Sequence, residues 1–243
     1  MLKIANHCHY HKQLAREYIE QIQSYPLASD ILLHIEDELV QFCSVLNQQK
    51  ACSNQSFQDS KLLQRASQSN QSLIKACNNK KREIKSVLDL TAGWGKDSFM
   101  LASQGLQVCM LEQNPLIFHT LEYLLKTARI NRDDVRYQRL EVLKGNSLEY
   151  LQDLENPSAD CIYLDPMFPE HKSGAKPSKD LQILQLLTEN LDIESLFEQA
   201  LKRAKYRVVV KRPLHATALN DRKPDMSYKE KTIRFDVYLT FNR

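Results

Sequence analysis

In the last two-thirds of the chain, short apolar runs alternate with segments at helical spacing, and this alternation constrains the fold most. Compact apolar runs occupy residues 87–90, 108–111 and 161–164, and residues 115–129 have helical periodicity. Parallel strands need long crossover connections, which are usually helices, so this order is typical of a parallel sheet. The sequence therefore predicts an α/β fold.

The first third of the chain has a different character. Residues 1–85 contain no glycine and are rich in Gln, Asn and Ser. Apolar side chains recur at helical spacing over residues 31–46, which predicts a helix, and residues 50–70 read as a polar, loop-rich stretch. We expect residues 1–85 to form a smaller, mostly helical accessory region and residues 86–243 to form the main domain.

A small-residue turn follows the first predicted strand of the main domain, within SVLDLTAGWGKDSFML. Gly93 and Gly95 allow the backbone to approach a ligand closely, and the helix that follows offers free N–H groups. The next strand ends in Glu112, an acid suited to binding ribose hydroxyls. The third glycine of the dinucleotide fingerprint is missing, because Phe99 follows Ser98. The pattern fits S-adenosylmethionine (SAM) better than NAD or FAD.

The segment CIYLDPMFPE contains the most informative chemistry of the chain. Pro166 cannot donate to a sheet ladder, so the strand must end there, at the edge where α/β sheets bind ligands. Asp165 and nearby carbonyls can accept hydrogen bonds from the exocyclic amine of a planar base, and Phe168 can stack on that base. The alternative is a tight turn after a core strand.

Charge is distributed unevenly, although the net charge is only +3. Residues 200–243 carry 12 basic and 4 acidic side chains. Such a surface would favour a polyanion such as RNA. The alternative is a solvated basic face.

The remaining composition points to a protein of the cytoplasm. The six cysteines form no C-x-x-C pair, which suits reduced thiols, and no apolar run is long enough to span a membrane. The N-terminus lacks the features of a signal peptide. The His-rich start around Cys8 has no second ligand cluster, so no metal site is expected.

Four blocks resemble the bacterial small-subunit (16S) ribosomal RNA guanine-N2 methyltransferases of the RsmJ type, namely LDLTAGWGKDSFMLASQG, VCMLEQNP, YLDPMFPEHKSGA and RVVVKRP. IRFDVY is a fifth, and the resemblance covers residues 86–240. It implies a class I, Rossmann-like fold that uses SAM. It also implies methyl transfer to the exocyclic N2 amine of one guanosine.

The resemblance also implies which residues contact the cofactor. Glu112 would accept from the ribose, Asn146 and Ser147 would bond the adenine edge, and Asp97 would reach the methionine amine. Asp97 could instead be a helix-start acid that complements the helix dipole. The full expected set is Asp89, Gly93, Gly95, Lys96, Asp97, Glu112, Gln113, Asn146, Ser147 and Asp165.

The chain departs from the family pattern at several of these positions. Lys96 and Gln113 each stand where the family has Arg, and Asn146 stands where it has Ser. The family's glycine-rich basic segment before the first strand is here RASQSNQSLIKACNN, which has no glycine.

For the substrate side, we predict catalytic roles for Asp165, Pro166 and Phe168. Lys211, Arg212 and Lys172 are the predicted contacts to RNA phosphates, although the first two could equally be a strand-end charge pair. The expected partner is ribosomal RNA or the small ribosomal subunit, with no membrane and no stable protein partner. The alternatives are an amino-methyltransferase for another base of RNA or DNA, or a SAM-binding ribosome-assembly factor without turnover.

Overall fold

The computed structural model describes residues 2–25, 30–46, 48–68, 71–78, 82–155, 157, 159–166, 178–188 and 191–240. The chain divides into two compact units, and each contains one sheet. Unit 1 comprises Met1–Ser60, Asn114–Asp134 and Met167–Asn190. Unit 2 comprises Lys61–Gln113, Val135–Pro166 and Leu191–Arg243.

Unit 1 is built on a four-stranded sheet of order β1-β2-β3-β4, in which the first pair is parallel and the others antiparallel. Its strands are β1 (Leu2–Asn6), β2 (Ile31–Glu36), β3 (Leu39–Leu46) and β4 (Gln49–Gln55). Its helices are α1 (Lys12–Ile22), α5 (Pro115–Asn131) and α8 (Lys179–Leu187). α1 packs on α5, and α8 packs on β3 and β4.

The predicted helix over residues 31–46 is wrong, because this segment forms the antiparallel pair β2 and β3. In β2, Ile31, Leu33 and Ile35 are buried, and the residues between them are more exposed. That alternation has the period of a strand. The spacing of four between Ile31 and Ile35 fits a helix, but it is also an even number and so fits one face of a strand. The accessory region is therefore not mostly helical.

The expectation of six reduced thiols is also wrong. Cys43 and Cys52 form a disulfide between directly paired positions of β3 and β4. Adjacent antiparallel strands bring such side chains within bonding reach, which C-x-x-C counting does not detect. The other cysteines, Cys8, Cys77, Cys109 and Cys161, are free thiols.

Unit 2 contains a seven-stranded sheet of order β10-β11-β9-β8-β5-β6-β7. Its strands are β5 (Ser86–Asp89), β6 (Gln107–Glu112), β7 (Leu140–Lys144), β8 (Ala159–Leu164), β9 (Ala204–Pro213), β10 (Met226–Lys229) and β11 (Ile233–Leu239). β5 to β9 pair in parallel, whereas β11 is antiparallel to both β9 and β10. The predicted parallel sheet is confirmed.

The helices α2 (Ser60–Ala66), α3 (Ser72–Cys77), α4 (Lys96–Ser103), α6 (Val135–Gln138), α7 (Ser147–Asp153) and α9 (Ile193–Arg203) accompany this sheet. The predicted strand over residues 135–143 instead begins with the short helix α6 and becomes strand only at β7. The predicted loop at residues 50–70 contains part of β4 and all of α2. None of the helices described is long and apolar enough to cross a membrane.

One apolar core joins several strands of unit 2 to α9. Leu88, Ile162 and Val208 belong to it, and the Phe197 ring meets Tyr238 edge-on at 4.8 Å between centroids. The chain leaves β5 toward β6 on one side and later returns to its other side as β8. This reversal creates a crevice at the carboxyl ends of β5 and β8, where open α/β sheets bind ligands.

The boundary predicted at residue 85 falls inside unit 2, between α3 and β5. α3 packs on α4, β9, β10 and β11. Arg207 of β9 is buried and donates to the carbonyls of Ala76 and Asn78, at 2.7 and 2.9 Å. The units therefore divide the chain differently from the predicted boundary.

Candidate cofactor and active site

The glycine turn after β5 depends on two left-handed residues. Gly93 has φ 50° and Gly95 has φ 68°, a region that is strained for residues with a Cβ. The Gly93 N–H donates to Glu112 Oε2 at 3.1 Å, which ties the turn to the end of β6. Gly95 caps α4, so Lys96 is the first residue of that helix. The turn thus presents its backbone at the carboxyl edge of the sheet.

Asp89 lies beneath this turn rather than in an open pocket. It is 2% exposed, and its carboxylate accepts from Ser98 Oγ at 2.6 Å and from the Thr91 N–H at 3.0 Å. Burial raises the pKa of Asp89 to about 7. Both oxygens of Asp89 accept hydrogen bonds within the protein and so hold the turn in place, and its contact with the cofactor stays a prediction.

Two acids predicted from the sequence come together at one lysine. Lys211 Nζ lies 2.9 Å from Asp97 Oδ2 and 2.7 Å from Asp165 Oδ2. The Tyr163 hydroxyl donates to the same Asp97 oxygen at 2.7 Å. Thr91 Oγ1 accepts from the Asp165 N–H at 2.6 Å. We call Asp97, Tyr163, Asp165 and Lys211 the acid–lysine cluster.

The cluster sets the charge state of its members. Burial opposes ionisation of Asp97, but the charge of Lys211 and the hydrogen bond from Tyr163 outweigh it and lower the pKa of Asp97. Desolvation raises the pKa of Asp165, and Lys211 offsets part of that effect. Burial disfavours the Lys211 ammonium, yet the two carboxylates raise its pKa. The cluster is therefore an ion network that depends on Lys211.

The residues predicted to hold the adenosine part occupy the next strand ends. Glu112 is 6% exposed at the end of β6, beside the glycine turn. Asn146 caps α7 by accepting from the N–H groups of Leu148 and Glu149, and its Nδ2 donates to Gln113 Oε1 at 3.1 Å.

Ser147 Oγ donates to the Leu90 carbonyl at 2.6 Å, and Ser147 is 5% exposed. The Asn146 and Ser147 side chains thus already stabilise the protein itself. Any further contact that they make must use their remaining hydrogen-bond capacity.

The structure pairs Lys211 and Arg212 with groups of the protein itself, and their contacts to RNA phosphates stay a prediction. Lys211 is paired with two carboxylates, and Arg212 is 6% exposed and donates to the Thr217 carbonyl at 2.7 Å. Pro166 is buried at the strand end. Phe168 and Lys172 lie outside the described residues.

The basic cluster of residues 202–212 is not one continuous surface. Arg207 is buried, Arg203 Nε donates to the Leu151 carbonyl at 3.0 Å, and Lys205 pairs with Asp160 at 3.3 Å. Several of these cations are therefore used within the fold.

Sequence reasoning missed Tyr163 and Thr91 as parts of this site. Tyr163 lies two residues before Asp165, so the strand period places both side chains on the same face. This spacing could have predicted Tyr163 as part of the site. Thr91 gave no such signal. Its contact with Asp165 depends on the pairing of β5 with β8. In the part of the chain described, no group of three or more His, Cys, Asp or Glu side chains could hold a metal ion.

Comparison with known proteins identifies related chains. Residues 19–240 match the family model described as a putative SAM-dependent methyltransferase. The ribosomal RNA small subunit methyltransferase J of Psychromonas ingrahamii is 43% identical over 172 residues, which is 70% of this chain and 67% of that protein. The protein of the same name from Colwellia psychrerythraea is 42% identical over 156 residues, or 63% of this chain and 56% of that protein.

A solved structure matches over nearly the whole length. A SAM-dependent methyltransferase from Neisseria gonorrhoeae aligns with a TM-score of 0.73 and 29% identity, covering 100% of this chain and 96% of that one.

Proposed function

The chain belongs to the SAM-dependent methyltransferase family that includes the ribosomal RNA small subunit methyltransferase J proteins, and from this premise we propose that it methylates the exocyclic N2 amine of a guanosine in small-subunit ribosomal RNA. The observation that carries the proposal is the acid–lysine cluster, which sets Asp165 at the carboxyl end of β8 beside the glycine turn. An acid there can accept hydrogen bonds from an amine.

The residues present fit SAM as the cofactor. Bound SAM supplies an activated methyl group, so most of the acceleration comes from proximity and orientation. Asp97 would hold the methionine amine, since Tyr163 and Lys211 both bond its Oδ2, and Oδ1 has no partner among the described residues. Glu112 would accept from the ribose. Gly93 and Gly95 would let the backbone of the turn approach the cofactor closely.

On the substrate side, Asp165 would accept a hydrogen bond from the guanine amine. The lone pair of that amine is delocalised into the ring, which makes it a poor nucleophile. Accepting its N–H bonds through Asp165 and the carbonyl near Pro166 would favour tetrahedral character at nitrogen. Phe168 stays a predicted stacking partner for an unpaired base.

The expected partner is ribosomal RNA or the small ribosomal subunit, and we propose that the protein acts where that RNA is, in the cytoplasm. We retain as a proposal that residues 86–243 form the methyltransferase domain and that residues 1–85 are accessory to it.

The test is mass-spectrometric nucleoside analysis of 16S ribosomal RNA from a strain that lacks the gene, beside its parent. We expect loss of one N2-methylguanosine, restored by the wild-type protein and by Asp153→Ala, an exposed acid of α7. Asp165→Ala should not restore it, and in vitro it should slow transfer by about a hundredfold or more.

An unchanged nucleoside profile in the deletion strain would reject this substrate. Full complementation by Asp165→Ala would reject the role of that carboxylate and favour an assembly factor without turnover.

A further inference from the structure

We propose that Lys211 is a positioning residue that holds Asp97 and Asp165 as paired, ionised acceptors, one for the cofactor and one for the nucleobase. This inference rests on the proposed function, because it assigns Asp165 to a substrate amine. It replaces the phosphate contact that the sequence suggests for Lys211.

The register of the sheet places Lys211 for this role. β8 and β9 are parallel neighbours, and Leu164 pairs with Val210, so Asp165 and Lys211 are the next residues on adjacent strands. Asp97, in the first turn of α4, reaches the same ammonium group. One lysine of β9 therefore bridges the start of α4 and the end of β8.

Lys211 bonds to only one carboxylate oxygen of each acid. Both of its ion pairs are to Oδ2, at 2.9 Å for Asp97 and 2.7 Å for Asp165. Among the described residues, neither Oδ1 accepts a hydrogen bond. Each acid is thus fixed through one oxygen and keeps the other for a ligand.

The ionised state decides what these acids can bind. An ionised carboxylate only accepts hydrogen bonds, whereas a protonated one also donates. Both proposed ligand groups, the methionine amine and the guanine amine, are donors. Two carboxylates close together disfavour each other's ionisation, and the ammonium between them opposes that repulsion. Lys211 therefore keeps both acids in the only state that matches their ligands.

The charge balance also suits the cofactor. Two carboxylates and one ammonium leave a net charge of −1 in the cluster. The methionine amine is a cation, so it would meet a negative site rather than a neutral one.

Removing the Lys211 ammonium is expected to change the pH at which Asp165 ionises. Asp165 interacts electrostatically with Lys211 of β9, Asp97 of α4, Tyr163 of β8 and Asp89 of β5. Arg65 of α2 adds positive charge near Asp97. Of these groups, Lys211 is the cation that contacts Asp165. Without it, desolvation and the neighbouring acids would raise the pKa of Asp165 further.

The test compares Lys211→Met with two controls. Lys211→Arg keeps the positive charge, and Lys202→Met removes the charge of an exposed lysine on α9. Lys211→Gln is a second neutral variant, in case the Met side chain prevents folding. Carboxyl carbon NMR of aspartate-labelled protein without ligand follows the titration of Asp165, whose signal is assigned by its absence in Asp165→Asn.

We expect the Asp165 midpoint to rise by about one pH unit or more in Lys211→Met and Lys211→Gln, and to stay near the wild-type value in the other two variants. The acid limb of the pH profile of kcat should move to higher pH together with the Asp165 midpoint. An Asp165 midpoint that is the same in all variants would overturn the proposal. A wild-type protein that methylates no ribosomal RNA would instead reject the proposed function and leave the NMR result standing.

Discussion

Asp89 is a buried acid that joins the end of β5 to the glycine turn and to α4. Its folded-state pKa of about 7 lies well above the value of about 3.9 for an unfolded aspartate. The folded protein therefore binds this proton more tightly than the unfolded chain. The resulting stability is fully present below pH 4 and is lost as the pH rises through 7.

We predict that the free energy of unfolding falls by about 3 kcal/mol between pH 5 and pH 8 because of Asp89. Asp89→Asn should remove most of this slope, as measured by urea denaturation at both pH values. Asp160→Asn is the control, since the pKa of Asp160 is lowered and its effect should fall below that range. An equal slope in wild type and Asp89→Asn would contradict the assignment.

At the residue scale, motif reading located Glu112 and Asp165 at strand ends and Asp97 at the start of a helix, because strand patterns and turn residues are local signals. It did not predict that Lys211 would bond two of them. That contact depends on which strand lies beside β8 and in which register, and neither is encoded locally. The burial of Arg212 was also missed, because a count of charges along the sequence does not show which side chains face the core and which face solvent.

At the element scale, Arg207 stabilises the end of α3. The last carbonyls of a helix lack partners within it, and Arg207 donates to two carbonyls at this end, those of Ala76 and Asn78. Arg207 is 2% exposed, so water cannot easily replace it.

We predict that Arg207→Met lowers the free energy of unfolding by about 3 kcal/mol, since it removes two hydrogen bonds from a charged donor. Chemical denaturation measures this. Lys202→Met, an exposed site on α9, should change stability by less than about 0.5 kcal/mol. If the two variants were equally stable, Arg207 would not anchor α3.

The elements that were predicted correctly are those whose patterns exclude alternatives. Fully apolar runs such as residues 161–164 fit a strand buried on both faces, and β8 is buried throughout. Residues 31–46 failed because an apolar spacing of four suits both a helix and a strand. The two-residue turn at Asp37 and Glu38, which joins β2 to β3, was not recognised.

At the scale of the whole molecule, the disulfide of unit 1 determines how many cysteine side chains can react as free thiols. We predict that protein purified without reductant and then denatured shows four reactive thiols, those of Cys8, Cys77, Cys109 and Cys161, and six after reduction. Mass spectrometry after alkylation measures both numbers. Six reactive thiols in the unreduced sample would show that Cys43 and Cys52 are not joined.

The position of β11 has a consequence for synthesis. This strand is made after the six other strands of its sheet, yet it lies inside the sheet, between β9 and β10, and contributes buried Phe235, Val237 and Tyr238. A nascent chain that ends before residue 233 leaves the long edge of β9 unpaired. Unit 2 can therefore complete its sheet only after residues 233–239 have been synthesised, and until then the growing chain exposes an edge that other chains can pair with.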